Sequence, residues 1–173
     1  TNTASIKSTV DTVTGFKSGD LIKISATASG QFGDLHQTSG AAFDGETTTA
    51  ALTVNFAASL ANADGHLTTG KHVLSFDNDS SDLTLGYAGI SGFLAALNAH
   101  GDIEETGGSD FSNGDELLMV YHNTSEQAYE VGIMTVAGGD GLDGGDDGWE
   151  ALLRVDTTGV TQAQVAAAIS FEA

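Results

Sequence analysis

The chain is 173 residues long and carries 24 Asp and Glu against five Lys and Arg, a formal charge of −19, with neither cysteine nor proline. That length fits one domain able to bury its own core, and so acidic a surface repels phosphates, so no nucleic-acid partner is expected. No run of about 18 apolar residues is present, so no membrane-spanning helix is expected.

The 23 glycines, with abundant Thr, Ser, Asn and Asp, predict many short strands joined by turns. Two short strands open the chain, over 9–14 and 20–25, with Ile22 and Ile24 alternating against Lys23 and the turn Gly15-Phe16-Lys17-Ser18-Gly19 between them. Residues 26–48 read as a polar, Gly-rich loop with a short strand near Phe32. A helix is then expected with Leu52, Phe56, Leu60 and Ala63 on one face. Val73 to Phe76 leads through Asp77-Asn78-Asp79-Ser80-Ser81-Asp82 into alternating Leu83, Leu85 and Tyr87, the pattern of a hairpin.

A helix over 91–100 follows, with Ile90, Phe93, Leu94 and Leu97 on one face and Gly101 as its stop. Leu117 to Tyr121 is apolar on both faces, as in a central strand. Residues 122–127 form a turn, Tyr129, Val131, Ile133 and Thr135 the return strand, and 149–155 a third strand. Thr161 with Gln164 makes a capping box flanked by a Val160–Val165 staple, and Ala168 and Ile169 extend that apolar face, with Phe171 following. The fold expected over residues 1–173 is therefore a single mainly β domain. It is a β-sandwich or β-roll-like arrangement of short antiparallel strands with two or three short helices.

The charge is unevenly placed: residues 101–173 hold 15 of the 24 acids, and Arg154 is their only Lys or Arg. Like charge on one compact body opposes folding unless something neutralises it. A hard divalent cation held by oxygen ligands does so, and calcium is the abundant one outside cells. Gly138 to Gly148 places Asp140, Asp143, Asp146 and Asp147 among six glycines that free backbone carbonyls to turn inward; otherwise it is a solvated loop. Asp77, Asp79 and Asp82 crowd a six-residue stretch. Asp82 stands where an EF-hand needs glycine and Ala88 where it needs its bidentate Glu, so any cation there is bound differently. Asp102, Glu104, Glu105, Asp110, Asp115 and Glu116 surround Gly107, Gly108 and Gly114, as a further ion site or a solvated acidic loop.

Asp11-Thr12-Val13-Thr14-Gly15-Phe16-Lys17-Ser18-Gly19-Asp20-Leu21-Ile22-Lys23-Ile24-Ser25 resembles the segment that follows the nonapeptide repeats of RTX proteins. The later order of helix, apolar strand, return strand, Trp149 to Val155 and Gly159-Val160-Thr161 resembles the terminal module of bacterial surface-layer and other type I secretion substrates. The tandem repeats are absent: Gly138-Gly139-Asp140-Gly141-Leu142-Asp143 matches one repeat core, with Gly145 where an apolar residue belongs. The resemblance implies calcium as the bound ion, with Asp11 and Asp20 as further ligands, and an extracellular or cell-surface location.

Catalytic patterns are missing. The histidines His36, His66, His72, His100 and His122 show no H-x-x-x-H or H-E-x-x-H spacing, and no G-x-S-x-G occurs. Carboxylate pairs for glycoside hydrolysis meet only in a fold, and one Trp and three Tyr supply a sugar cleft poorly. The segment before Phe16 lacks the apolar stretch of a signal peptide. That fits a cytosolic protein, including one from a high-salt organism, a processed chain, a fragment, or export without an N-terminal signal. The expectation is a non-enzymatic, extracellular calcium-binding structural module that folds on type I export. The alternatives are a self-assembling surface-layer or filament subunit with calcium-bridged contacts, in which an unpaired apolar strand such as Val73 to Phe76 serves as the edge contact, and a haem or metal carrier through His36. Partners are calcium, and either further copies of the chain or a cell-surface polymer.

Overall fold

The computed structural model describes residues 10–25, 36–37, 41–42, 56–57, 73–75, 86–100, 113–137 and 148–172. Its centre is an antiparallel meander of three strands, β7 (Glu116–Asn123), β8 (Ala128–Thr135) and β9 (Gly148–Asp156), the numbering following chain order. β7 and β8 pair continuously from Glu116↔Thr135 to Asn123↔Ala128. β6 (Val73–Leu74) and β5 (Phe56–Ala57) add in parallel beyond β7, and β1 (Thr12–Val13) adds in parallel beyond β9. The result is a mixed six-stranded sheet in the order β1-β9-β8-β7-β6-β5. The mainly β expectation holds, with strand directions mixed rather than uniformly antiparallel.

Leu117 to Tyr121 of β7 form an unbroken apolar run because both faces of the strand are covered there. Leu117, Met119 and Tyr121 pack with Phe93 and Leu97 of α1 (Ile90–His100), which is the crossover helix between the parallel strands β6 and β7. On the opposite face Leu118 and Val120 meet Phe16, Ile22, Ile24, Val160, Val165 and Ile169. These belong to a second small layer in which β2 (Ile22–Ser25) pairs in parallel with β10 (Ile169–Glu172), next to α2 (Gln162–Ala167). The alternation of Ile22 and Ile24 inward with Lys23 outward follows.

α2 starts as its sequence dictates. The Thr161 Oγ1 accepts from the Gln164 N–H at 3.2 Å, and the Thr161 N–H donates to Gln164 Oε1 at 2.9 Å. Gln162 then does work that no spacing rule announces. β6 stops at Leu74, opposite Met119, so the next carbonyl of β7, that of Val120, is met instead by Gln162 Nε2 at 3.0 Å. The same nitrogen reaches Ser75 Oγ at 3.1 Å, and both side chains are buried. Replacing Gln162 with alanine leaves a buried carbonyl and hydroxyl without this donor. The midpoint of urea unfolding should fall by the equivalent of about 1–3 kcal/mol.

Five expectations are corrected. Phe56 and Ala57 are strand, not helix: the neighbouring Thr47, Thr48, Thr49, Thr53 and Val54 favour extended backbone, and pairing with β6 decides the outcome; Leu52, Leu60 and Ala63 lie outside the described residues. The loop expected over 26–48 contains β3 (His36–Gln37) paired with β4 (Ala41–Ala42), while Phe32 lies outside the described residues. Val73–Leu74 is an inner strand, 0% and 1% exposed between β5 and β7, so it cannot be the unpaired edge through which copies would assemble. Tyr87 bridges Asn123 in parallel, so it runs in the same direction as Val73–Leu74 and is not the return arm of a hairpin; Leu83 and Leu85 lie outside the described residues. The chain after Ala168 is strand, because Ile169 pairs with Ile22 and ends α2 early.

Candidate functional site

The opening motif divides its residues between two jobs. Phe16, Ile22 and Ile24 are each 7% exposed and build the core, whereas Asp11 and Asp20 are exposed. Gly15 and Gly19 take φ of 73° and 99°, the left-handed region in which glycine is unstrained, and this lets the chain step from β1 in the large sheet to β2 in the small one. Asp20 Oδ2 accepts the Lys17 N–H at 2.9 Å, and the Asp20 N–H returns to the Lys17 carbonyl at 3.0 Å, so this carboxylate closes its own turn. The Asp11 carbonyl accepts the Arg154 N–H at 2.9 Å, tying the motif to β9.

Among the described residues, no group of three or more His, Cys, Asp or Glu side chains converges as a metal cage. Asp11 and Asp20 alone fall short of the six to eight oxygens calcium takes. Asp77, Asp79, Asp82, Asp140, Asp143, Asp146 and Asp147 lie outside the described residues. His36 sits in β3 opposite Ala42.

The topology nevertheless fixes where each acidic segment attaches. β9 and β7 point the same way, so the turn after β1, bearing Asp20, lies at the sheet end that also holds the β7–β8 turn. The opposite end receives the chain from residues 101–112 and also gives rise to residues 138–147. There the Gly114 N–H meets the Val136 carbonyl at 2.8 Å, the Val136 N–H meets the Asp115 carbonyl at 2.9 Å, and Thr135 pairs with Gly148. Asp20 thus lies at the sheet end opposite the one where residues 138–147 join the sheet.

One polar constellation escaped the sequence reading. Tyr121, Glu130 and Arg154 stand side by side across β7, β8 and β9, and Glu130 is 3% exposed. Its Oε1 accepts from the Tyr121 hydroxyl at 3.1 Å and Trp149 Nε1 at 3.0 Å. Its Oε2 accepts from Asn123 Nδ2 at 3.2 Å and Arg154 Nε at 2.8 Å. Four donors fill the four lone-pair sites of a carboxylate, leaving none for a substrate proton or a metal. Burial alone would raise the Glu130 carboxyl; hydrogen bonds from Arg154, Trp149, Asn123 and Tyr121 outweigh it and hold the group below the usual range. Burial, then the Glu130 charge, pushes the Tyr121 hydroxyl well up, so it stays a donor. Asn123 also accepts the Glu126 N–H at 3.3 Å, and Arg154 reaches the half-exposed Glu126 at 3.4 Å.

Aromatic rings wall this carboxylate. Phe93 stacks on Tyr121 with centroids 4.8 Å apart, and Trp149 meets Tyr121 edge-on at 5.5 Å. The indole lies over Gly132, where β8 and β9 shift register. The arrangement is a satisfied structural brace across three strands. The signal for it was a lone acid in the apolar run around Val131 and the sole basic residue of 101–173 in the apolar run around Leu153.

The brace sets a pH dependence. A carboxyl held low in the folded chain adds stability that is full above its unfolded value, about 4.3, and is lost as pH falls through the folded value. The stability difference between the native chain and Glu130→Gln should therefore shrink below about pH 4. This comparison cancels the relief of repulsion at the other carboxylates.

Comparison with protein-family models, curated proteins and solved structures found no match to this chain.

Proposed function

We propose that this chain is an extracellular, calcium-dependent structural module that leaves its cell through a type I secretion system and folds when external calcium neutralises its Asp-rich segments. The observation that carries the reading is the attachment of two acidic segments to one end of the sheet. Asp102, Glu104, Glu105 and Asp110 precede β7, and Asp140, Asp143, Asp146 and Asp147 link β8 to β9. The first segment enters β7 and the second leaves β8, and these two strands are neighbours about 5 Å apart. Mutual repulsion of those carboxylates opposes closing that end of the ladder, and a divalent cation with oxygen ligands removes it. The opening motif and the order of later elements, which resemble RTX and surface-layer modules, support the same reading.

An ion that binds the folded chain better than the unfolded one stabilises it by mass action, so the calcium-poor interior and calcium-rich exterior of a cell become a folding switch. With no proline and no cysteine, folding needs neither prolyl isomerisation nor oxidation. The test is circular dichroism at low ionic strength with calcium and with chelator. The proposal predicts β-structure restored by calcium and not by an equal ionic strength of sodium. Identical spectra would remove it. Light scattering during the same titration separates folding of a monomer from calcium-bridged assembly.

A further inference from the structure

Asn113-Gly114 is the only Asn-Gly pair in the chain, and it occupies the turn that opens β7. Both residues are exposed, and Gly114 has φ of 97° with open space where a Cβ would stand. The nitrogen of a residue without a side chain is the least hindered nucleophile the backbone offers. We infer that Asn113 is a site of spontaneous deamidation, held in check by the hydrogen bond from the Gly114 N–H to the Val136 carbonyl.

In this reaction the Gly114 backbone nitrogen attacks Asn113 Cγ. The new N–Cγ bond forms, the Cγ–Nδ2 bond breaks, and ammonia leaves carrying the proton lost by the Gly114 nitrogen. Water then opens the resulting succinimide at either carbonyl, giving Asp or its β-linked isomer. No oxidant or enzyme is required. In the folded chain the attacking nitrogen is engaged at 2.8 Å with Val136, whose own N–H donates to the Asp115 carbonyl at 2.9 Å. This pair ends the β7–β8 ladder, where local opening is least costly. Opening it frees the nucleophile. Either product adds a negative charge beside Asp115 and Glu116, and the β-linked product also lengthens the backbone by one atom just before the closing bond. The inserted backbone atom of the β-linked product weakens reclosure of this end whether or not a cation binds there.

The test follows the intact chain in mildly alkaline buffer, with and without guanidinium chloride, by peptide mass mapping. A gain of one mass unit should appear at the peptide containing Asn113, about tenfold faster in denaturant, and vanish in Asn113→Gln, an exposed change that leaves the fold intact. Asp-Gly pairs isomerise without that mass gain, so they do not interfere. Equal rates in the two conditions, or a mass gain confined to other asparagines, would overturn the inference.

Discussion

Replacing Glu130 with alanine should destabilise the chain by about 3–5 kcal/mol, because it leaves the partly buried Arg154 and three neutral donors facing a void. For a chain of this size the loss lowers Tm by on the order of 10 °C. The cost does not measure the net worth of the ion pair, since most of it is the penalty for stranded partners. Removing Arg154 as well should therefore cost less than the sum of the two single changes, and a double-mutant cycle on Glu130→Ala and Arg154→Met reads that coupling directly. Tyr121→Phe, which deletes one donor and keeps the ring stacked on Phe93, should cost only about 1 kcal/mol. If Glu130→Ala unfolds at the native midpoint, Glu130 is not the brace described.

Gly132→Ala is the second large effect, although it adds one methyl group. A Cβ there would sit 2.5 Å from the Glu150 carbonyl oxygen and 2.8 Å from Trp149 Cε2, with Trp149 Cζ2 closer still. The indole cannot swing aside freely, because its Nε1 is bonded to Glu130 and its ring is wedged against Phe93 and Tyr121. Either the bond breaks or β9 shifts, and together these cost about 3–5 kcal/mol. Trp149 is the only tryptophan, so its fluorescence should move toward the solvent-exposed wavelength. Trimming Trp149 to alanine in the same chain should not restore stability: it relieves the ring clash but removes a Glu130 donor and the packing on Phe93 and Tyr121, and the clash with the Glu150 backbone remains.

Local patterns carried the parts of this fold whose causes are local. Thr161 and Gln164 announce the start of α2 because both caps lie within one turn. The uninterrupted apolar run of Leu117 to Tyr121 announces a strand covered on both faces. Phe56 shows where such reasoning fails: a two-residue parallel strand is defined by its partner in β6, and its i, i+4 spacing suits a helix equally well. Val73 and Leu74 are alike apolar at an edge or in the interior, and only the position of β5 tells which. Glu130 and Arg154 are 24 residues apart, and their pairing depends on a register shift at Gly132 that spacing does not encode. For the candidate cation ligands, sequence supplied the composition, and strand order supplied only where their segments join the sheet. Asp20 closes its own turn, while residues 101–112 enter β7 and residues 138–147 leave β8 at the same end.

Amide hydrogen exchange at that end tests the calcium proposal most directly. With calcium, the Gly114 and Val136 amides, which close the ladder, should exchange nearly as slowly as those of Tyr121 and Glu130 in mid-sheet. In chelator they should exchange far faster. Equal rates in calcium and in chelator, at low ionic strength, would mean that the carboxylates flanking these strands need no counter-ion, and the proposed switch would not exist.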